Sequence, residues 1–230
     1  MTNPGNEFWA AIAGAIVGGL ISLAAQLLAF REARRLRGVD RRDAQQARGL
    51  SLLFKLMEIT SNLDALANYV GEAFALTLPD GSKPEPWSAL LPLANLPERV
   101  RFSTDEIALL LSLKNDPLFN GIVSFDVVYN GTVEVFETYG RRRLAATEAL
   151  SAQMHGVIGV TQLSREQAAW LAPRAAELNQ LATGIRARVT KDRTRARELV
   201  VELHKTLAEK LGLSFKIELK VSPKQGGQPA

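Results

Sequence analysis

The chain carries two histidines, His155 and His204, and no cysteine. Neither histidine has a second metal-ligating residue three or four positions away, and no H-E-x-x-H occurs, so neither reads as half of a helical metal site. The missing cysteine removes disulfides, thiolate ligands and a thiol nucleophile. There is no G-x-S-x-G elbow, no Walker A sequence and no G-x-G-x-x-G loop. Asp105 and Glu106 place two carboxylates side by side, but Ser103-Thr104-Asp105-Glu106 is a capping box, in which the hydroxyl and the fourth residue's carboxylate satisfy helix-end amides reciprocally. That role accounts for the pair. We therefore expect no catalytic residue, no metal ligand, no cofactor and no enzyme.

Arg186, Arg188, Lys191, Arg193, Arg195 and Arg197 form a dense basic run opposed only by Asp192. A nucleic-acid reader needs a recognisable module, and a single-strand binder needs aromatic stacking platforms. Neither accompanies this run, so it reads as a solvated helix face, with contact to lipid headgroups or an acidic partner as the alternative; Arg141 to Arg143 are read the same way. Asn130-Gly131-Thr132 matches a glycosylation sequon and is read as chance.

The elements that must position these residues begin with an anchor. Residues 8–30 are 23 consecutive uncharged residues, Phe8 to Phe30. As a helix they span roughly 34 Å, against a hydrocarbon core of about 30 Å. Only Glu7 is charged before them, whereas Arg31, Arg34, Arg35, Arg37, Arg41, Arg42 and Arg48 follow, diluted by Glu32, Asp40 and Asp43. Positive charge beside a span stays cytoplasmic. The reading is a single-pass signal-anchor, N-terminus outside and C-terminus in the cytoplasm. A cleaved signal peptide would start basic and have a shorter apolar core. Arg31, Arg34, Arg35, Arg37, Arg41 and Arg42 are the expected contacts to anionic lipid headgroups, which also explains much of the net charge of +4.

Within the span, Ala10, Gly14, Gly18, Ser22 and Gln26 recur every fourth residue. Such a stripe lets membrane helices approach closely, and Ser22 and Gln26 could bond across the contact. It marks the expected surface for association with a second copy or another membrane helix.

Residues 31–49 read as a basic, helix-compatible stalk. Amphipathic periodicity strengthens from Leu50, with Leu53, Met57, Leu63, Leu66, Val70 and Phe74 on one face, and must stop by Leu78 because Pro79-Asp80-Gly81 follows. Pro84, Pro86, Pro92 and Pro97 limit the next stretch to a short turn near Trp87 to Leu91. The capped helix at Ser103 runs to about Leu113. For residues 118–154 two readings compete. Asn130-Gly131 between β-branched and aromatic residues is a hairpin signal. Leu118, Ile122, Phe125, Tyr129, Val133, Phe136, Gly140 and Leu144 keep a helical period, and one long helix is preferred. Ser164-Arg165-Glu166-Gln167 is a second capping box; its helix should reach Leu211, stop at Gly212, and be kinked or split by Pro173. Leu213 to Val221 alternates as a strand would, and residues 222–230 have the composition of a disordered tail.

Several of these segments together carry a resemblance: the anchor with its Gly-Gly pair, the arginine cluster, Phe102-Ser-Thr-Asp-Glu106, Asn115-Asp-Pro-Leu-Phe-Asn120, Tyr129-Asn130 and Tyr139-Gly-Arg-Arg-Arg143. Over residues 8–150 the chain resembles a group of uncharacterised bacterial single-pass membrane proteins with a helical cytoplasmic domain. The resemblance favours a helix at Asn130-Gly131 and implies no activity.

The expected fold is all-α: an extracytoplasmic N-terminus 1–7, a transmembrane helix 8–30, a basic juxtamembrane stalk 31–49, a cytoplasmic helical bundle 50–221 with a possible short C-terminal strand, and a disordered tail 222–230. The expected role is a binding or scaffolding module with the lipid bilayer, a cytoplasmic protein and a second copy as partners, and not nucleic acid. Alternatives are an oligomerising membrane effector, such as a toxin or phage-defence component, and an enzyme with an unrecognised site.

Overall fold

A computed structural model describes residues 4–148, 150 and 163–213, with side chains from residue 40 onward. Among the described residues all regular structure is helical: α1 Pro4–Ala75, α2 Pro86–Ala89, α3 Thr104–Ser112, α4 Asp116–Glu148 and α5 Arg165–Leu211. Contacts divide the chain into Met1–Ala47 and Arg48–Ala230. Both clusters of the core lie in the second.

The first cluster joins Leu52, Leu56 and Ile59 of α1, Leu109 and Leu110 of α3, Ile122 and Tyr129 of α4, and Leu199, Leu203 and Leu207 of α5. The second joins Leu66 and Val70, Phe136 and Tyr139, and Leu178, Ala182 and Ile185 of the same three long helices. Along α1 and α4 the chain passes from the first cluster to the second; along α5 it returns. The two sequence-consecutive long helices α1 and α4 are thus parallel, and α5 is antiparallel to both. A parallel pair needs a connection that travels back the length of the bundle. Residues 76–103 make that return as a mostly irregular strap before α3.

The helix ends follow local chemistry. Both capping boxes form: the Ser103 and Ser164 hydroxyls accept from the amides of Glu106 and Gln167, whose side chains accept from the Ser103 and Ser164 amides. Asn115 Oδ1 accepts from the Leu118 amide, starting α4. Gly212, at φ 68°, ends α5 in the left-handed region where glycine carries no Cβ penalty. Gly49 permits a close approach, because a Cβ there would lie 2.9 Å from a Leu207 methyl and 3.4 Å from one of Leu211.

Asn130 and Gly131 lie inside α4, so the hairpin is replaced by helix. Turn propensity yields because Phe125, Tyr129, Val133 and Phe136 all bury on one helical face, which a two-residue period would split. Pro173 does not split α5, which runs through it as one element. A proline removes one intrahelical bond; buried Leu171 and Leu178 hold the helix on either side. The alternating segment from residue 214 to 221 and the tail 222–230 lie outside the described residues. So does His155, whereas His204 is half-buried on α5.

Candidate functional site: a clamped strap and an apolar groove

The strap's prolines, Pro79, Pro84, Pro86, Pro92 and Pro97, supply no N–H, and extended chain leaves carbonyls unpaired. Side chains from the flanking helices take them up. Tyr69 of α1 donates to Leu91 O at 2.7 Å. Tyr139 of α4 donates to Leu90 O at 2.6 Å and also lies 3.0 Å from Trp87 O. Arg143 donates Nε to Trp87 O at 2.9 Å, with a longer contact to Ser88 O. Tyr129 donates to Glu98 O and accepts from Asn62 Nδ2. Asn130 Nδ2 donates to Val100 O, and Lys55 Nζ to Arg101 O. The chain's three tyrosines are all strap clamps. Burial raises the pKa of each phenol, most for Tyr139, and keeps it a donor.

On the other side, α5 holds the strap by its short helix. Asn179 Oδ1 accepts from the Trp87 amide at 2.9 Å. Glu85 Oε2 accepts from Trp87 Nε1 at 2.7 Å and from Asn179 Nδ2 at 3.2 Å. Beside this lock lies an open groove of about 290 Å³, with Trp87, Leu163, Ala168, Leu171, Ala172 and Ala175 giving apolar walls and Glu85 and Ser88 polar atoms. The groove offers shape and apolar surface. Its one carboxylate already serves two donors, so it is a positioned acceptor.

Among the described residues two acids are buried. Glu106, 3% exposed, accepts from Lys55 Nζ at 2.8 Å, Ser51 Oγ at 2.7 Å and the Ser103 amide at 2.6 Å. Burial pushes its pKa up, but the Lys55 ammonium and the two other donors outweigh that and hold it below the usual carboxylate value. Asp192, 5% exposed on α5, faces α4, where Thr132 Oγ1 lies 2.7 Å from its Oδ2. Burial raises its pKa, opposed by the Thr132 hydroxyl and the charges of Arg188 and Lys191.

In the basic run Arg186, Arg188, Lys191 and Arg195 are exposed, as expected of a solvated face, while Arg193 and Arg197 are half-buried. Arg193 and Arg197 both reach Asp64 of α1, Arg195 pairs with Glu198, Arg188 lies 3.8 Å from Asp192, and Arg186 sits over the Phe74 ring. Arg143 is also not a solvated arginine. It is 8% exposed, because it continues the Phe136, Tyr139 face inward to the strap. Asp105 stays exposed and pairs with Arg48, while Glu106 carries the cap. Arg41 and Arg42 are exposed. Ala10, Gly14, Gly18, Ser22, Gln26, Arg31, Arg34, Arg35 and Arg37 fall where side chains lie outside the described residues. Among the residues described with side chains, from residue 40 onward, no helix is long and apolar enough to cross a membrane, and no group of acids and histidines could hold a metal ion.

Comparison with protein-family models, with curated proteins and with solved structures finds no match to this chain.

Sequence reasoning missed the strap clamps and the Thr132–Asp192 contact. One signal was present: polar Tyr129, Thr132, Tyr139 and Arg143 interrupt the apolar face of α4 at helical spacing.

Proposed function

We propose that this chain is a membrane-anchored helical module that binds or scaffolds a cytoplasmic protein. The anchor is residues 8–30, with the N-terminus outside, the arginines from Arg31 to Arg42 at the inner headgroups and the helical domain in the cytoplasm. The observation that carries the reading is the 23-residue uncharged stretch followed at once by arginines. The domain adds support. Its clustered polar side chains are engaged in fixing its own strap, and the groove at α2 and α5 presents apolar walls, which suits recognition better than reaction.

Two measurements test this. A reporter that fluoresces only in the cytoplasm, fused after Ala230, should light the membrane fraction, and alkaline extraction should not release the protein. Affinity capture from detergent-solubilised membranes should recover one reproducible protein partner. A dark fusion defeats the topology, and an empty capture defeats the scaffold.

The stripe of Ala10, Gly14, Gly18, Ser22 and Gln26 favours a second reading, an oligomerising membrane effector. Gly14→Ile and Gly18→Ile should then weaken self-association in a membrane two-hybrid assay while Leu20→Ile does not. Equal signal in all variants removes this reading.

A further inference from the structure

The middle of α5 turns a strip of small side chains outward and lines it with cations on both edges. Ala187, Thr190 and Thr194 are exposed along the strip. On the edge toward α1, Arg193 and Arg197 reach Asp64 at 3.9 and 2.8 Å, and Arg186 lies 4.8 Å from the centre of the Phe74 ring. On the edge toward α4, Arg188 and Arg195 reach across to that helix: a Cβ added at Gly131 or Gly121 would lie 3.5 or 3.0 Å from their guanidinium nitrogens. Lys191 is exposed on the same side. From Arg186 to Arg197 the strip runs about 17 Å along the helix axis.

Six cations meet three acids here. Asp64 serves Arg193 and Arg197 with the same oxygen, Glu198 pairs with Arg195, and the buried Asp192 lies 3.8 Å from Arg188. Among the described residues no acid pairs with Arg186 or Lys191. Between Leu178 and Arg197, Asp192 is the only acid on α5. Positive charge is therefore in local excess, and contacts to Asp64, Phe74 and α4 already hold the arginines in place. Arginines fixed beforehand lose less freedom on gripping a carboxylate, and their planar forks match it. Ala187, Thr190 and Thr194 leave room for a chain between the two rows. The strip exposes no aromatic ring on which a base could stack. It also exposes no large apolar side chain of the kind an interfacial helix buries in a bilayer.

We infer that this face of α5 is the docking surface for an acidic protein segment, laid along the strip with carboxylates toward both rows of cations. The inference rests on the scaffold reading and names the chemistry of its partner. Charge attraction of this kind orients the encounter and weakens with salt.

A photo-crosslinking side chain at Thr190, in the full chain within membranes of its own cells, tests this. It should give a protein adduct whose crosslinked peptide is rich in Asp and Glu. Arg186→Glu combined with Lys191→Glu should reduce the adduct at least about tenfold. Raised salt should do the same to the parent chain, which decides the matter should the double variant fail to fold. Lys205→Glu, on the same helix beyond the strip, should leave the adduct unchanged. An adduct to lipid or nucleic acid, one to a peptide without acids, or one indifferent to both the double reversal and salt overturns the acidic partner. No adduct overturns the surface. Affinity capture separates this failure from that of the scaffold reading: a captured protein that does not crosslink at Thr190 docks elsewhere, and an empty capture removes both.

Discussion

Glu106 and Asp192 are buried to nearly the same degree, 3% and 5% exposed, yet their surroundings drive them apart. Glu106 sits at a helix start with an ammonium, a hydroxyl and a backbone amide aimed at it, and is held ionised. Asp192 sits in the middle of α5, where the backbone amides are spent on the helix, and accepts from one hydroxyl, with the Arg188 guanidinium 3.8 Å away. The difference teaches that burial alone does not set a carboxylate's charge. The number of donors does, and a helix's first turn supplies donors that its middle cannot.

The largest expected effect comes from breaking the acid with more donors. Glu106→Ala should lower stability at neutral pH by about 3 kcal/mol, because it leaves Lys55 unpaired and the Ser103 amide uncapped. Chemical denaturation of the full chain measures this; a loss under about 1 kcal/mol would erase the contrast with Asp192. The same acid has a direction in pH. Its folded value is depressed, so its contribution is present above the unfolded carboxylate value and fades as pH falls through the folded one. Glu106→Gln should remove that acid-limb decline; a decline that persists unchanged in Glu106→Gln would assign it to other carboxylates.

A smaller effect sharpens the comparison with a neutral clamp. Tyr139→Phe keeps the ring and removes the hydroxyl between Leu90 O and Trp87 O. We expect a loss of about 1–2 kcal/mol without pH dependence below the phenol range. A pH-dependent difference would mean that Arg143, which bonds the same Trp87 carbonyl, senses the change electrostatically. The smallest effect belongs to a pair with no burial. Lys205→Ala breaks a 4.0 Å contact with Glu209 whose side chains are 75% and 60% exposed, and should change stability by less than about 0.5 kcal/mol.

What could be read in the chain itself was local. Both capping boxes, the Gly212 stop and the helical period through Asn130-Gly131 depend on residues within one or two turns, and all three appear as expected. The parallel order of α1 and α4 was not legible, since it depends on which faces meet. The clamps were not either: Tyr69 reaches Leu91 across 22 residues, Tyr139 reaches Leu90 across 49, and Thr132 reaches Asp192 across 60. A lone sequence shows a tyrosine on an apolar face but not the carbonyl that receives it. Within the basic run only the pairing of Arg193 and Arg197 was hidden, because Asp64, which takes them up, is over a hundred residues away.

The strap's bonding has a consequence for how its order would be detected. The long helices hold it by carbonyl oxygens at Trp87, Ser88, Leu90, Leu91, Glu98, Val100 and Arg101. Beyond Leu76, whose N–H still bonds Ala73 O at the end of α1, only the Trp87 N–H among the described residues of the strap is held from a long helix. Amide exchange reads hydrogens, whereas a protease must draw several residues of backbone away from the surface. Between Pro92 and Phe102 the two probes should disagree: amides there should exchange as fast as in a loose loop, while the peptide bonds resist cleavage. A segment can be fixed in space and still look fluid to an experiment that follows only its hydrogens.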